Sequence, residues 1–197
     1  MLILTSHLGA WELMSFYLSL RGYPTSMVVP RIDNRLLDYF VNGIRCLHGN
    51  RVIFEDDFAR RPLTAVSPNE TICIPMNTNV LLQQCVVVKT FHQDSCASSG
   101  LAHVALKTGA PVIPAFMLWE PSERQYVLHF GNELVFDRTD DPVVDIAAAT
   151  QKCNDELESW IRRYPDQWLW ISRSRASSCS VEMVTQIQPG AGTLPAR

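Results

Sequence analysis

Leu2-Ile3-Leu4-Thr5-Ser6-His7-Leu8-Gly9-Ala10-Trp11-Glu12-Leu13-Met14 changes its period midway. Leu2 to Thr5 is a short apolar run without alternation, which suits a strand covered on both faces. Ser6-His7-Leu8-Gly9 reads as a turn. From residue 10 to residue 21 the spacing is helical, with Leu13, Phe16, Tyr17 and Leu20 on one stripe, and Gly22-Tyr23-Pro24 is a stop signal. A strand that runs through a tight turn into a helix is the first half of a βα unit, and the rest of the chain repeats that alternation. Strands are expected at 26–29, 52–53, 71–74, 85–88, 112–119 and 125–130. Helices are expected at 34–48, capped by Asp33 or Asn34, and at 58–66, 98–107 and 146–163. The last apolar stretch is 168–171. This order predicts a single α/β domain, 1–173, with a mixed sheet flanked by helices. Residues 174–197 are rich in Ser, Gly, Gln and Pro and are expected to be a disordered tail.

Composition narrows the functional classes. Among 197 residues an apolar share of 47% with five Trp excludes wholesale disorder, and a net charge of −3 gives no basis for nucleic-acid binding. No stretch approaches the ~18 consecutive apolar residues of a membrane-spanning helix. Only Lys89, Lys107 and Lys152 are lysines among 17 basic residues, and arginine's planar fork is suited to phosphate and carboxylate groups. Cysteines 46, 73, 85, 96, 153 and 179 are scattered without a C-x-x-C pair, and are expected to be thiols of a reducing compartment, not a disulfide framework. Cys46-x-His48 lacks the paired spacings of a zinc site, so no metal is expected.

The chemistry concentrates in His7 and Glu12. A histidine in the turn after a strand and a carboxylate in the first turn of the next helix can approach each other. The carboxylate then fixes the tautomer and leaves the other ring nitrogen as a base toward a substrate hydroxyl. A buried structural His–Glu pair is the alternative. Ser98-Ser99-Gly100, opening a helix, offers free backbone N–H groups to an anion or serves as an ordinary N-cap. His92 and Cys96 lack an orienting third group, so Cys96 is read as structural. Trp160, Trp168 and Trp170 beside Arg162 and Arg163 fit either an interfacial belt or core aromatics. Glu55-Asp56-Asp57 with Arg60-Arg61 reads as a solvated face.

The block His7-Leu8-Gly9-Ala10-Trp11-Glu12 resembles the H-x-x-x-x-[DE] motif of glycerolipid-type acyltransferases, and in detail that of the bacterial lipid A biosynthesis acyltransferases, the late lauroyl- and myristoyl-transferases. Further blocks follow in that family's order: Asp33-Asn34-x-x-Leu37-Asp38, Gly49-Asn50-x-Val52-Ile53, Gly100-Leu101-Ala102, Thr108-Gly109-Ala110-Pro111-Val112-Ile113-Pro114, and Ile161-Arg162-Arg163-Tyr164-Pro165-Asp166-Gln167-Trp168-Leu169-Trp170. The resemblance implies a glycerolipid-acyltransferase-like fold. It implies acyl transfer from an acyl carrier protein thioester to a hydroxyl of a lipid A precursor or related glycolipid, at the cytoplasmic face of the inner membrane, without a cofactor. His7 would be the general base and Glu12 its partner; Arg31, Asn77, Asn79, Ser98, Ser99 and Gly100 would bind substrate. It also implies a membrane-anchoring segment ahead of the His block.

Several positions depart from the family pattern. Ala10 stands in place of an asparagine. An Arg-Pro pair is inverted as Pro30-Arg31, which in an extended segment turns the arginine to the opposite face. Asn77 replaces an aspartate, Lys89 replaces an aspartate, His92 replaces a glycine, and Ala97 replaces a threonine. These changes suit either a divergent enzyme or a catalytically impaired relative that only binds lipid or carrier protein.

Overall fold

In the computed structural model, which describes residues 1–60, 70–76 and 85–170, Leu2–Thr5 forms β1 and is buried along its whole length. It lies between two parallel neighbours, β4 (Thr71–Pro75) and β7 (Val112–Glu120). With β2 (Thr25–Val29), β3 (Arg51–Phe54) and β8 (Gln125–Phe130) they make one six-stranded sheet of order β3-β2-β4-β1-β7-β8. Every pairing is parallel except β7 with β8, so the sheet is mixed, as expected. A separate antiparallel hairpin joins β5 (Cys85–Thr90) to β6 (Gln93–Ser98).

Alternate residues of each central strand serve two cores. Leu2 and Leu4 pack with Val112, Phe116 and Leu118 of β7 and with Ile72 and Ile74 of β4. This face is covered by α4 (Gly100–Thr108) through Leu101 and Val104, and by α5 (Pro142–Arg163) through Leu157, Trp160 and Ile161. Ile3, Met27, Cys73 and Met117 face the other way, under Met14 and Leu18 of α1 (Trp11–Leu20). Burial on both faces explains the unbroken apolar runs; each fully buried Leu or Ile contributes roughly 1.5–3 kcal/mol relative to an exposed one. Burial also pushes the Cys73 and Cys153 thiols up to about 12.

Some expectations are corrected. The α1 stripe of Leu13, Tyr17 and Leu20 is exposed, and the helix buries Met14, Ser15, Leu18 and Ser19 instead. The small serines are inward because Asn50 reaches across them: its Nδ2 donates to Ser15 O at 3.2 Å, while its Oδ1 accepts from Thr25 N at 2.9 Å. The helix α2 (Arg35–Arg45) is capped by Asn34, whose side chain accepts from the Leu36 and Leu37 amides, yet it buries none of its residues. The third helix, α3 (Glu55–Arg60), begins before residue 58. The start of α5 precedes residue 146, with Asp141 as N-cap and Pro142 in the first turn. Trp168 forms only an isolated bridge with Leu8.

The strand β6 pairs along its length although Gln93-Asp94-Ser95 is polar, because backbone pairing with β5 does not need apolar side chains. Cys85 and Cys96 are joined in a disulfide across this hairpin, against the expectation of thiols throughout. Their sequence spacing shows no pairing signal, since the hairpin alone brings them together. Lys89, the charge reversal, sits opposite Asp94 in the register and pairs with it at 2.8 Å. Ala97 is buried in the core, where its methyl side chain needs no hydrogen-bond partner. His92 is less well accommodated: it turns the hairpin at φ 67°, beside Phe91 at φ 49°, in the left-handed region that glycine occupies without strain. His92→Gly is expected to raise stability by about 1 kcal/mol, a rise of roughly 2–4 °C in thermal unfolding.

Candidate active site

Parallel strands point their carboxyl ends to one edge of the sheet, where α/β folds place their sites. His7 follows β1 at that edge, and Arg31 follows β2. The His7 segment is fixed from two sides by backbone bonds. Gly9 N donates to Gln167 O and Leu169 N donates to His7 O, both at 2.9 Å, while Ala10 N donates to Met117 O at 2.8 Å. Gln167 is itself held by Trp119, through a pair of bonds at 2.8 and 2.9 Å. Gly9 takes φ 65°, which lets the chain leave the strand and enter α1 while touching β7.

The His7 ring packs edge-on against Trp11, with centroids 4.7 Å apart. Its Nδ1 is buried and has no hydrogen-bond partner among the described residues; the same holds for Thr5 Oγ1, Ser6 Oγ and Trp168 Nε1 nearby in the chain trace. Burial lowers the basicity of His7 below the ordinary imidazole value, and the negative charge of Glu12 works against that shift. The imidazole is therefore neutral at neutral pH, the form a general base requires.

Glu12 lies in the first turn of α1, where the helix dipole favours a carboxylate. Its oxygens are gripped by Arg45 of α2: Nε donates to both, at 3.2 and 3.1 Å, and Nη2 to Oε1 at 2.5 Å. Arg45 is also held by Asn42 Oδ1 at 3.1 Å. The arginine side chain is 15% exposed and the glutamate 38%, so the carboxylate keeps an edge open to solvent. No spacing rule links position 12 to position 45. The hint in the sequence is that Asp38, Asn42 and Arg45 share the polar face of α2 at helical spacing.

Arg45 thus fixes Glu12, while no hydrogen bond joins Glu12 to His7 among the described residues. Arg45→Met is expected to lower kcat/KM by roughly tenfold or more, with Arg45→Lys recovering part of the loss. A partly exposed ion pair contributes about 1 kcal/mol or less to stability, so thermal unfolding should hardly move. In an Arg45→Met/Glu12→Gln double mutant the two losses should not add.

The remaining predicted residues fall apart into separate places. Arg31 lies over the Phe54 ring at 3.7 Å and pairs with Asp57 of α3 at 3.3 Å, both partners being exposed. Ser98, Ser99 and Gly100 end β6 and open α4. Ser98 Oγ accepts from Gly100 N at 3.4 Å, and Ser99 O accepts the first helical bond from His103 N at 2.8 Å. Phe58 of α3 stands beside Gly100, so α3 lies next to both Arg31 and this helix start. Asn77 and Asn79 lie outside the described residues. Trp160 and Trp168 are core residues, with Arg163 stacked on Trp160 at 3.8 Å; Trp170 is exposed. Among the described residues no group of three or more His, Cys, Asp or Glu gathers to hold a metal, and no helix is long and apolar enough to cross a membrane.

No curated protein matches the sequence. A family model does, over residues 1–174, and it covers every element from β1 to the end of α5. The chain belongs to the bacterial lipid A biosynthesis acyltransferases, a family of enzymes that move an acyl group from a donor to a lipid A-type acceptor.

Proposed function

We propose that this chain transfers a fatty acyl group from an acyl carrier protein thioester to a hydroxyl of a lipid A precursor or related glycolipid, at the cytoplasmic face of the inner membrane. The observation that carries this reading is a half-buried imidazole at the carboxyl end of β1, its Nδ1 unpaired among the described residues, within the field of a Glu12 carboxylate fixed by Arg45. His7 takes the proton of the acceptor hydroxyl as the oxygen attacks the thioester carbonyl. The tetrahedral intermediate collapses, the C–S bond breaks, and the thiolate leaves with the proton that His7 held. Glu12 stabilises the transient imidazolium by its charge, and Arg45 keeps that carboxylate in place. Ser98, Ser99 and Gly100 remain the substrate-binding candidates of this reading, with Arg31 at the same sheet edge.

The test is acyl transfer by the purified chain, supplied with acyl carrier protein thioester and a lipid A precursor. Formation of acylated precursor that depends on His7 supports the reading. Lipid or carrier binding without any turnover would favour the impaired relative, and release of free fatty acid with no acylated precursor would mark a hydrolase.

A further inference from the structure

The helix α2 is built inside out. Its polar residues turn toward the body of the domain: Asp38 Oδ1 accepts from Ile32 N at 2.9 Å, Asn42 holds Arg45, and Arg45 holds Glu12. Its apolar residues turn to solvent, with Leu36 at 81% and Phe40 at 64% exposure, and Leu37 and Ile44 exposed as well, followed by the exposed Leu47 in the turn after the helix. Leu36, Phe40 and Ile44 recur at helical spacing, so they form a stripe and not scattered exceptions. The neighbouring α1 presents a second stripe, Leu13, Tyr17 and Leu20, followed by Tyr23. Contiguous exposed apolar surface of this kind on a helix marks an interaction site.

Charge indicates what the face meets. Arg35 opens α2 next to Leu36, and Arg21 closes α1 next to Leu20, its guanidinium 5.3 Å above the Tyr17 ring. Neither has a carboxylate partner among the described residues, and Asp33 is the exposed acid beside them. A twofold contact with a second copy would set these arginine rims against one another. An anionic lipid surface complements them, and Tyr17, Tyr23 and Tyr39 supply the amphipathic rings that favour the headgroup level. The same two helices carry the site: Glu12 lies on α1 and Arg45 on α2.

We infer that the outward stripes of α2 and α1 form the surface by which this protein docks on an anionic bilayer. Docking there sets the His7–Glu12 site at the headgroup layer, where the hydroxyl of an amphiphilic acceptor is presented. The inference rests on the lipid-directed acyl transfer proposed above, and names the partner of that same site.

Flotation of the full chain with vesicles of phosphatidylethanolamine and phosphatidylglycerol tests it without any turnover. Wild type and His7→Ala should float equally, so a failure of the catalytic reading leaves this measurement untouched. Leu36→Asp/Phe40→Asp should reduce vesicle binding by at least roughly tenfold. Its thermal unfolding should hardly move, since both side chains are largely exposed. Arg21→Gln/Arg35→Gln should weaken binding to anionic vesicles and leave binding to phosphatidylcholine vesicles unaltered. Equal flotation of wild type and Leu36→Asp/Phe40→Asp would overturn the inference, as would no flotation of wild type. A wild-type dimer in sedimentation velocity that Leu36→Asp/Phe40→Asp converts to monomer would overturn it too, by assigning the stripes to self-association.

Discussion

His7→Ala should lower the rate of acyl transfer by roughly two to four orders of magnitude, about 3–5 kcal/mol of transition-state stabilisation. The loss should appear in kcat, because the imidazole acts on a proton that moves only as the reaction proceeds. Folding should be little affected. The ring is in contact with Trp11, but its Nδ1 makes no hydrogen bond among the described residues whose loss would leave a partner unsatisfied. A variant with normal thermal unfolding and full transfer activity would remove His7 from the mechanism. The pH profile gives a second, independent readout. Burial lowers the pKa of His7, so the acid limb of kcat/KM should lie below the ordinary imidazole value of about 6.5. Glu12 opposes that shift, so Glu12→Gln should move the limb further toward acid while lowering the plateau. Stability follows the same sign. The unfolded chain takes up this proton first, so the folded state loses stability as pH falls from the ordinary imidazole value toward the depressed one.

Sheet strands and the His block were legible because their signals are local. Leu2–Thr5, Thr71–Pro75 and Val112–Glu120 are apolar without alternation, and that pattern follows from burial on both faces. The order of pattern changes then gives an α/β layer structure and puts His7 at a strand end. What the sequence did not disclose depends on which side of a helix faces the domain. A stripe such as Leu36, Phe40 and Ile44 ordinarily implies the buried face, and here it is the exposed one, because Asp38 and Arg45 have partners outside the helix, on Ile32 and Glu12. The same inversion hid Arg45 from the site, as its link to Glu12 needs two helices to pack and no local spacing encodes that. The Cys85–Cys96 bridge was hidden for a related reason: Gln93-Asp94-Ser95 carries no strand signal, so the hairpin that joins the cysteines was invisible. The family resemblance reached further than periodicity did, since it fixed the order of blocks over nearly the whole described chain.

Gly9→Ala should be the most damaging single methyl group in the site. Two costs fall on it and they can be separated. Gly9 sits at φ 65°, where an alanine is strained, and a Cβ there would lie 2.2 Å from Met117 O and 2.9 Å from Leu118 Cδ2. The first contact is with backbone in the middle of the sheet, held by the register of β7 with β1 and β8, so it cannot simply rotate away. Strain of about 1–2 kcal/mol and overpacking of about 1–3 kcal/mol together predict a loss of roughly 2–5 kcal/mol, near 10 °C in thermal unfolding. Gly22→Ala is the control: it has a comparable backbone, φ 88°, but nothing within 4 Å of the added carbon. It should lose only the strain, about 1 kcal/mol. The difference between the two variants therefore measures the contact with Met117. Activity should separate them further. The Gly9 turn sets both the Ala10–Met117 bond that starts α1 and the Gly9–Gln167 bond that clamps the His7 segment. A shift of about 1 Å there displaces the imidazole from the acceptor hydroxyl and should cost on the order of a hundredfold in rate even in molecules that remain folded. Equal thermal unfolding of the Gly9→Ala and Gly22→Ala proteins would show that the turn yields, and would remove the close approach of Gly9 to β7 as a determinant of the site.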